Sequence, residues 1–264
     1  MNAKPSGKSL WYLPLLSGFF IGTSYIPFPP WASLFGFVPL WLFWHQQTQL
    51  KNVFLGGVIT AFVFTMIGFN WVTYTLHEFA HLPWFFAGIG MLVYGLIGHL
   101  FVAAAGVLWF LGRKRFKWGE RLSLWLMALI TILCEANSWT VFDWNFGYPW
   151  YGANIPVYHW AEIIGFSGLS AATLLCNLPF YLAWQQRKQG SGKIIFAAVL
   201  TGFILLNLGG LWLKARLPEP DAKLNTLLIQ ASTPNSEKMA AELGEGYTQE
   251  IIRRIMVLTD DAVS

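Results

Sequence analysis

Glu135-Ala-Asn-Ser-Trp139, Asp143-Trp-Asn-Phe-Gly-Tyr-Pro-Trp150 and Ala161-Glu-Ile-Ile-Gly-Phe-Ser-Gly-Leu-Ser170, closing at Asn177, make one polar and aromatic stretch between two long apolar runs. Pro149 and Pro156 cannot continue a helix, and Gly147 and Gly152 permit tight turns. The stretch therefore reads as a loop joining two hydrophobic helices. Trp and Tyr beside apolar spans suit a membrane–water interface, where the ring is half buried and its polar atom stays wet. Two readings stand side by side: a set of interfacial aromatic anchors, or a site. The second rests on the two carboxylates, Glu135 and Glu162, set at the ends of apolar runs with the aromatic cluster between them.

Outward from this loop the chain is strongly apolar. Of 264 residues, 55% are hydrophobic, 17% aromatic and 11% charged, against roughly 25% charged in a soluble domain. That deficit marks an integral membrane protein. Seven runs approach the length of about 20 apolar residues that a bilayer requires, near 10–26, 31–46, 53–76, 84–111, 121–140, 158–184 and 194–213. Pro27, Pro29 and Pro30 interrupt the first two. The run after Lys4 and Lys8 has the flavour of a signal peptide but lacks a small-residue cleavage site, so it reads as a retained first helix. No internal repeat is visible, which speaks against a transporter built from inverted halves.

The cations are sorted by side. Lys4, Lys8, Lys51, the group Arg113, Lys114, Arg115, Lys117 and Arg121, and then Arg187, Lys188 and Lys193 fall on one side, whereas loops 27–30, 77–83 and 141–157 hold no Lys or Arg. By the positive-inside rule the N-terminus is cytoplasmic and everything after residue 213 is outside, with Lys214 and Arg216 a mild exception at that last exit. The net charge of +4 gives no reason to expect nucleic acid, because the cations sit in short loops between spans. Cys134 and Cys176 lie in apolar runs and read as small buried hydrophobes.

Residues 214–222, with Leu217-Pro-Glu-Pro-Asp221, read as a stiff linker. Lys223-Leu-Asn-Thr-Leu-Leu-Ile-Gln230 reads as a strand, and Thr233-Pro-Asn-Ser236 as a turn capping a helix in which Tyr247, Ile251, Ile255 and Leu258 share one face. The fold expected is thus an α-helical polytopic membrane bundle of about seven spans (1–213), a linker, and an incomplete α/β segment (223–264). One strand and one helix bury too little to fold alone, so the tail is expected to need either a partner or further chain.

Three lesser features carry less. His77, Glu78 and His81 have helical zinc spacing, but Pro83 follows and no third ligand is fixed, so no metal is expected. His99 reads as a hydrogen-bonded packing residue among Gly95, Gly98 and Ala103. Cys134, beside Glu135, has no base near it in sequence and lies within an apolar span, where a thiol is inert.

Together these features resemble one family. Pro27-Phe-Pro-Pro-Trp31, Gly56-Gly57 with Gly68-Phe-Asn-Trp71, Gly147-Tyr-Pro-Trp150, Ala161-Glu-Ile-Ile-Gly-Phe-Ser-Gly-Leu-Ser170 with Asn177, and Leu228-Ile-Gln230 stand in the order found in bacterial apolipoprotein N-acyltransferase. The resemblance implies a membrane bundle followed by a nitrilase-like periplasmic domain in the inner membrane. It implies transfer of an acyl chain from a phospholipid to the N-terminal amine of a diacylglyceryl-cysteine lipoprotein, without a cofactor. The family's Glu-Lys-Cys set supplies base, oxyanion partner and thiolate nucleophile. None of the three can be matched within 223–264, so no catalytic residue is assigned and the chain by itself is expected to be inactive. Tyr148 and Trp150 match an aromatic pair near the family's lipid entrance, and Glu135 and Glu162 match acidic positions; these four are the candidate lipid-binding residues. Asn137 and Ser138 stand where the family carries an arginine. The alternative reading is a non-catalytic lipid- or lipoprotein-binding module, or half of a split enzyme that docks a separate hydrolase domain.

Overall fold

Prolines cut the first apolar runs short, and the bundle is built around that fact. The computed structural model describes residues 10–25, 27–138, 141–142, 145–188, 191–217, 228–230, 233–244 and 246–263. α1, Tyr12–Gly22, has 11 residues, and α2, Val38–Gln46, has nine. At about 1.5 Å per residue they reach roughly 17 and 14 Å, about half of a hydrocarbon core of ~30 Å. Between them lie a turn and a 3-10 helix, Pro30–Leu34. The structure therefore corrects the continuous spans expected at 10–26 and 31–46. Side chains tie these short helices to their surroundings: the Ser17 hydroxyl of α1 donates to the Gly36 carbonyl in the turn before α2, and the Thr60 hydroxyl donates to the Pro14 carbonyl of α1 (3.0 Å).

α3, Leu50–Gly68, stops at Phe69-Asn70, and the expected run to 76 continues as a separate helix, α4, Trp71–Glu78. α5, Trp84–Ile97, and α6, Phe101–Phe116, are separated by a turn at 98–100. α7 is Glu120–Asn137, and α8, Tyr148–Gly152, is a short helix in the loop. A second 3-10 helix, Pro156–Trp160, leads into α9, Ala161–Gln185, and α10, Ser191–Ala215, follows. Among the described residues, four stretches are long and apolar enough to cross a membrane: Leu50–Gly68, Trp84–Phe116, Pro156–Gln185 and Gly192–Ala215. α7 carries Glu120, Arg121 and Glu135, which lowers its apolar character.

α3 lies against α1, α5 and α6; α7 joins α6 to α9; and α9 touches α2 and α10. The core between them is aromatic, with Phe37, Trp41, Trp44, Phe64, Phe69 and Trp109 buried. A buried indole N–H needs an acceptor; Trp44 donates to the Val53 carbonyl (3.0 Å) and Trp109 to that of Ser123 (2.9 Å). Asn177 ties distant segments together. Its Oδ1 accepts the Phe37 N–H (2.9 Å) and its Nδ2 donates to the Ser33 carbonyl (2.9 Å). α10 lies on the outside of the bundle: 6% of its most apolar stretch is buried. It touches α9 and the second 3-10 helix, through Trp160 Nε1–H to the Leu206 carbonyl (2.8 Å) and the Val157 N–H to Asn207 Oδ1 (3.2 Å).

The tail differs from its expected form. Residues 228–230 have no regular structure, and the rest of the expected strand lies outside the described residues. The expected single helix is two, α11, Asn235–Glu242, and α12, Tyr247–Val263, because Gly244 and Gly246 take positive φ (81° and 88°) between them. Arg254 bridges the pair through Glu237 (3.2 Å).

Candidate functional site

The loop between α7 and α9 is fastened by one carboxylate. Glu135, in the last turn of α7, accepts through Oε1 the Ser170 hydroxyl of α9 (2.6 Å) and the Phe146 N–H of the loop (3.3 Å). The same Phe146 N–H also reaches Ser170 Oγ (3.1 Å). Three chain segments thus meet on one oxygen. A carboxylate taken partly from water is stable where such donors replace its hydration.

The approach is close because two glycines allow it. Gly165 sits at φ 68°, ψ 172° within α9, a region open essentially to glycine alone. It turns the first residues of the helix away from the remainder. Gly147 meets that bend, and a Cβ there would collide with the Phe166 carbonyl.

On this frame the aromatic residues divide into two groups. Tyr148 is half-buried and stacked on Phe166, with centroids 4.5 Å apart and planes 11° from parallel. Tyr151 stands edge-on to both Tyr158 (5.3 Å) and Phe166 (6.2 Å) and is 59% exposed. These rings form a shelf at the end of the bundle. Trp150 points the other way: it is 1% exposed, donates Nε1–H to Thr173 Oγ1 (2.9 Å), and packs against Trp31 (5.9 Å) and Phe203 (5.5 Å). Trp150 is therefore the inner wall of the shelf, not its surface. Glu162 is exposed at the start of α9, whereas Glu135 is held by Ser170 and Phe146.

Ser170, Thr173 and Asn177 had no assigned role in the sequence, yet all three are buried on one face of α9 and each holds a partner from another segment. Their i, i+3, i+7 spacing in an otherwise apolar helix was the signal. The remaining sequence candidates are packing residues. His99 is buried, with Nδ1 2.8 Å from Thr65 Oγ1 and its ring 4.5 Å from that of Phe64. His77 stacks on Trp84 (4.0 Å) and bonds the Leu82 carbonyl through Nδ1 (2.8 Å). Among the described residues, no three His, Cys, Asp or Glu side chains are grouped to hold a metal ion. Cys134 is half-buried in α7 beside an apolar groove.

This arrangement offers rings at an interface, an apolar interior and a fixed loop. It can hold an amphiphile, and the hydroxyl–carboxylate pair gathered here, Ser170 with Glu135, fastens the loop.

Comparison with known proteins agrees with that character. No solved structure matches the chain. An apolipoprotein N-acyltransferase of Bdellovibrio bacteriovorus is 36% identical over 249 residues, covering 93% of this chain and 45% of the relative, so the chain spans about half the length of the curated protein it matches. The family model described as the apolipoprotein N-acyltransferase N-terminal domain matches residues 17–178, from α1 to the buried polar face of α9. The chain belongs to the apolipoprotein N-acyltransferase family, through that N-terminal domain.

Proposed function

We propose that this chain is the lipid-handling membrane part of an apolipoprotein N-acyltransferase of the bacterial inner membrane. In this reading the bundle crosses the membrane about seven times, with its N-terminus in the cytoplasm and the α7–α9 loop and the tail in the periplasm. The aromatic shelf receives the phospholipid acyl donor and then the diacylglyceryl lipoprotein acceptor. A nitrilase-like hydrolase portion, begun by the tail, performs acyl transfer through the thioester chemistry that the family resemblance implies.

The observation that carries the reading is the shelf itself. Tyr148 lies flat on Phe166 at the end of the bundle, and the loop beneath it is held by Glu135 and Ser170. A stacked, half-buried tyrosine ring suits a lipid glycerol region, where apolar and polar groups meet. The test is Tyr148→Ala in this bundle joined to a competent hydrolase portion. Loss of one such aromatic contact, about 0.5–1.5 kcal/mol, should slow lipoprotein acylation up to about tenfold. Acylation at the unaltered rate would remove the shelf from the substrate path.

A further inference from the structure

A second lipid-sized feature lies at the other end of α9. Trp184 is 18 residues beyond Phe166, or about 27 Å along a helix. There an apolar groove of about 430 Å³ runs between α1, α2 and α9, walled by Leu16, Phe20, Phe35, Leu42, Phe180 and Trp184. Phe35 joins the two sides, with ring centroids 5.3 Å from Phe20 and 5.7 Å from Phe180. Beyond Trp184 the surface dips again, in a depression of about 440 Å³ that shares Phe180 and Trp184 and adds Arg187, Gly192 and Lys193. The two features are continuous through these shared rings.

Arg187 is set at the junction. Its Cζ lies 4.3 Å from the centroid of Trp184, and Nη1 donates to the Trp184 carbonyl (2.6 Å). The guanidinium is thereby held over the ring that closes the groove, with other N–H donors remaining. Among the described residues, no ion pair joins Arg187 or Lys193 to a carboxylate. An apolar channel that ends at two cations without acidic partners complements a molecule with a long hydrocarbon chain and an anionic head. Arginine offers phosphate a rigid fork of donors, and lysine a mobile point charge.

We propose that this end of the bundle binds an anionic glycerophospholipid, one acyl chain lying in the groove and the phosphate resting on Arg187 and Lys193. The groove touches α1, α2 and α9, and Gly192 and Lys193 begin α10, so the bound lipid links the last helix to the first two. The site is remote from Tyr148 and takes no part in the transfer proposed above.

Native mass spectrometry of the full chain, mixed in detergent with phosphatidylglycerol or with phosphatidylethanolamine, tests the proposal. One phosphatidylglycerol should be retained in preference to phosphatidylethanolamine. At about 1 kcal/mol for each cation, R187Q/K193Q should weaken retention about thirtyfold. R187K/K193R should retain it, as should K114Q/R115Q, which removes two cations from the same end of the bundle away from the groove. Inorganic phosphate should not displace the lipid. Equal retention of both lipids, an unchanged R187Q/K193Q, or an equal loss in K114Q/R115Q would each reduce the site to unselective boundary lipid. Displacement by inorganic phosphate would reduce it to a simple anion site. Acylation is not measured, so neither result depends on the function proposed for the shelf.

Discussion

Glu135 uses one oxygen to hold two other segments, and this sets the cost of changing it. Glu135→Ala leaves the Ser170 hydroxyl without its acceptor and the Phe146 N–H with Ser170 alone. A buried group so stripped costs about 1–3 kcal/mol. Glu135→Gln keeps a carbonyl oxygen in the same place and should cost distinctly less. Thermal unfolding in detergent would separate them, with the midpoint lowest for Ala and that for Gln between it and the parent. If both variants unfolded with the parent, the carboxylate would not be what fastens the loop. Much of this residue's importance was legible, since a carboxylate at the end of an apolar run demands a reason. Its partners were not: Ser170 is 35 positions away, and only the packing of α7 beside α9 brings them together. Trp150 shows the opposite limit. Sequence places it in an aromatic cluster, but nothing in Gly147-Tyr-Pro-Trp150 says which ring faces inward until Thr173, Trp31 and Phe203 surround it.

At the level of elements, the bend in α9 governs the shelf. Gly165 holds a backbone conformation that costs another residue about 1–3 kcal/mol. Gly165→Ala has open space for its methyl group, so its whole effect comes from φ and ψ. The helix is expected to straighten or strain, moving Phe166 from beneath Tyr148. The measurable result is a lower unfolding midpoint together with loss of protection from hydrogen exchange across 145–152, while α3 and α6 keep theirs. Uniform protection across the loop would show that the bend and the shelf are independent. The span expected over 158–184 matches Pro156–Gln185, which is long and apolar enough to cross a membrane, but hydropathy has no term for the single residue at positive φ that bends it. The same blindness joined α3 to α4 and lengthened α1 and α2. Apolar composition reports what lies in a greasy environment, whereas helix continuity depends on where Pro27–Pro30, Asn70 and Gly98 let the chain turn.

For the whole molecule the sorted cations make a claim about sides. With Cys134 and Cys176 changed to Ala, a cysteine placed at Lys117 should react with an impermeant maleimide only from the cytoplasmic face, and one at Tyr151 only from the periplasmic face. Both positions are exposed, so failure to react would report the membrane and not burial. Labelling of both from one side would undo the orientation. Apolar runs, proline and glycine positions and aromatic clusters made the helical bundle and its loop legible. The tail was legible only as a helical pattern, because two glycines between α11 and α12 set its geometry and its apolar face has few neighbours to define it. The place of α10, outermost and last of the long apolar helices described, has a consequence for synthesis. Trp150 and Trp31 rest on Phe203, yet Phe203 is made only after every residue of α1 to α9. A chain halted near residue 190 would hold the residues of the main aromatic core but lack the ring that covers one flank of Trp150 and Trp31. The last helix then arrives as a shutter, and the moment of its arrival decides when that flank is sealed.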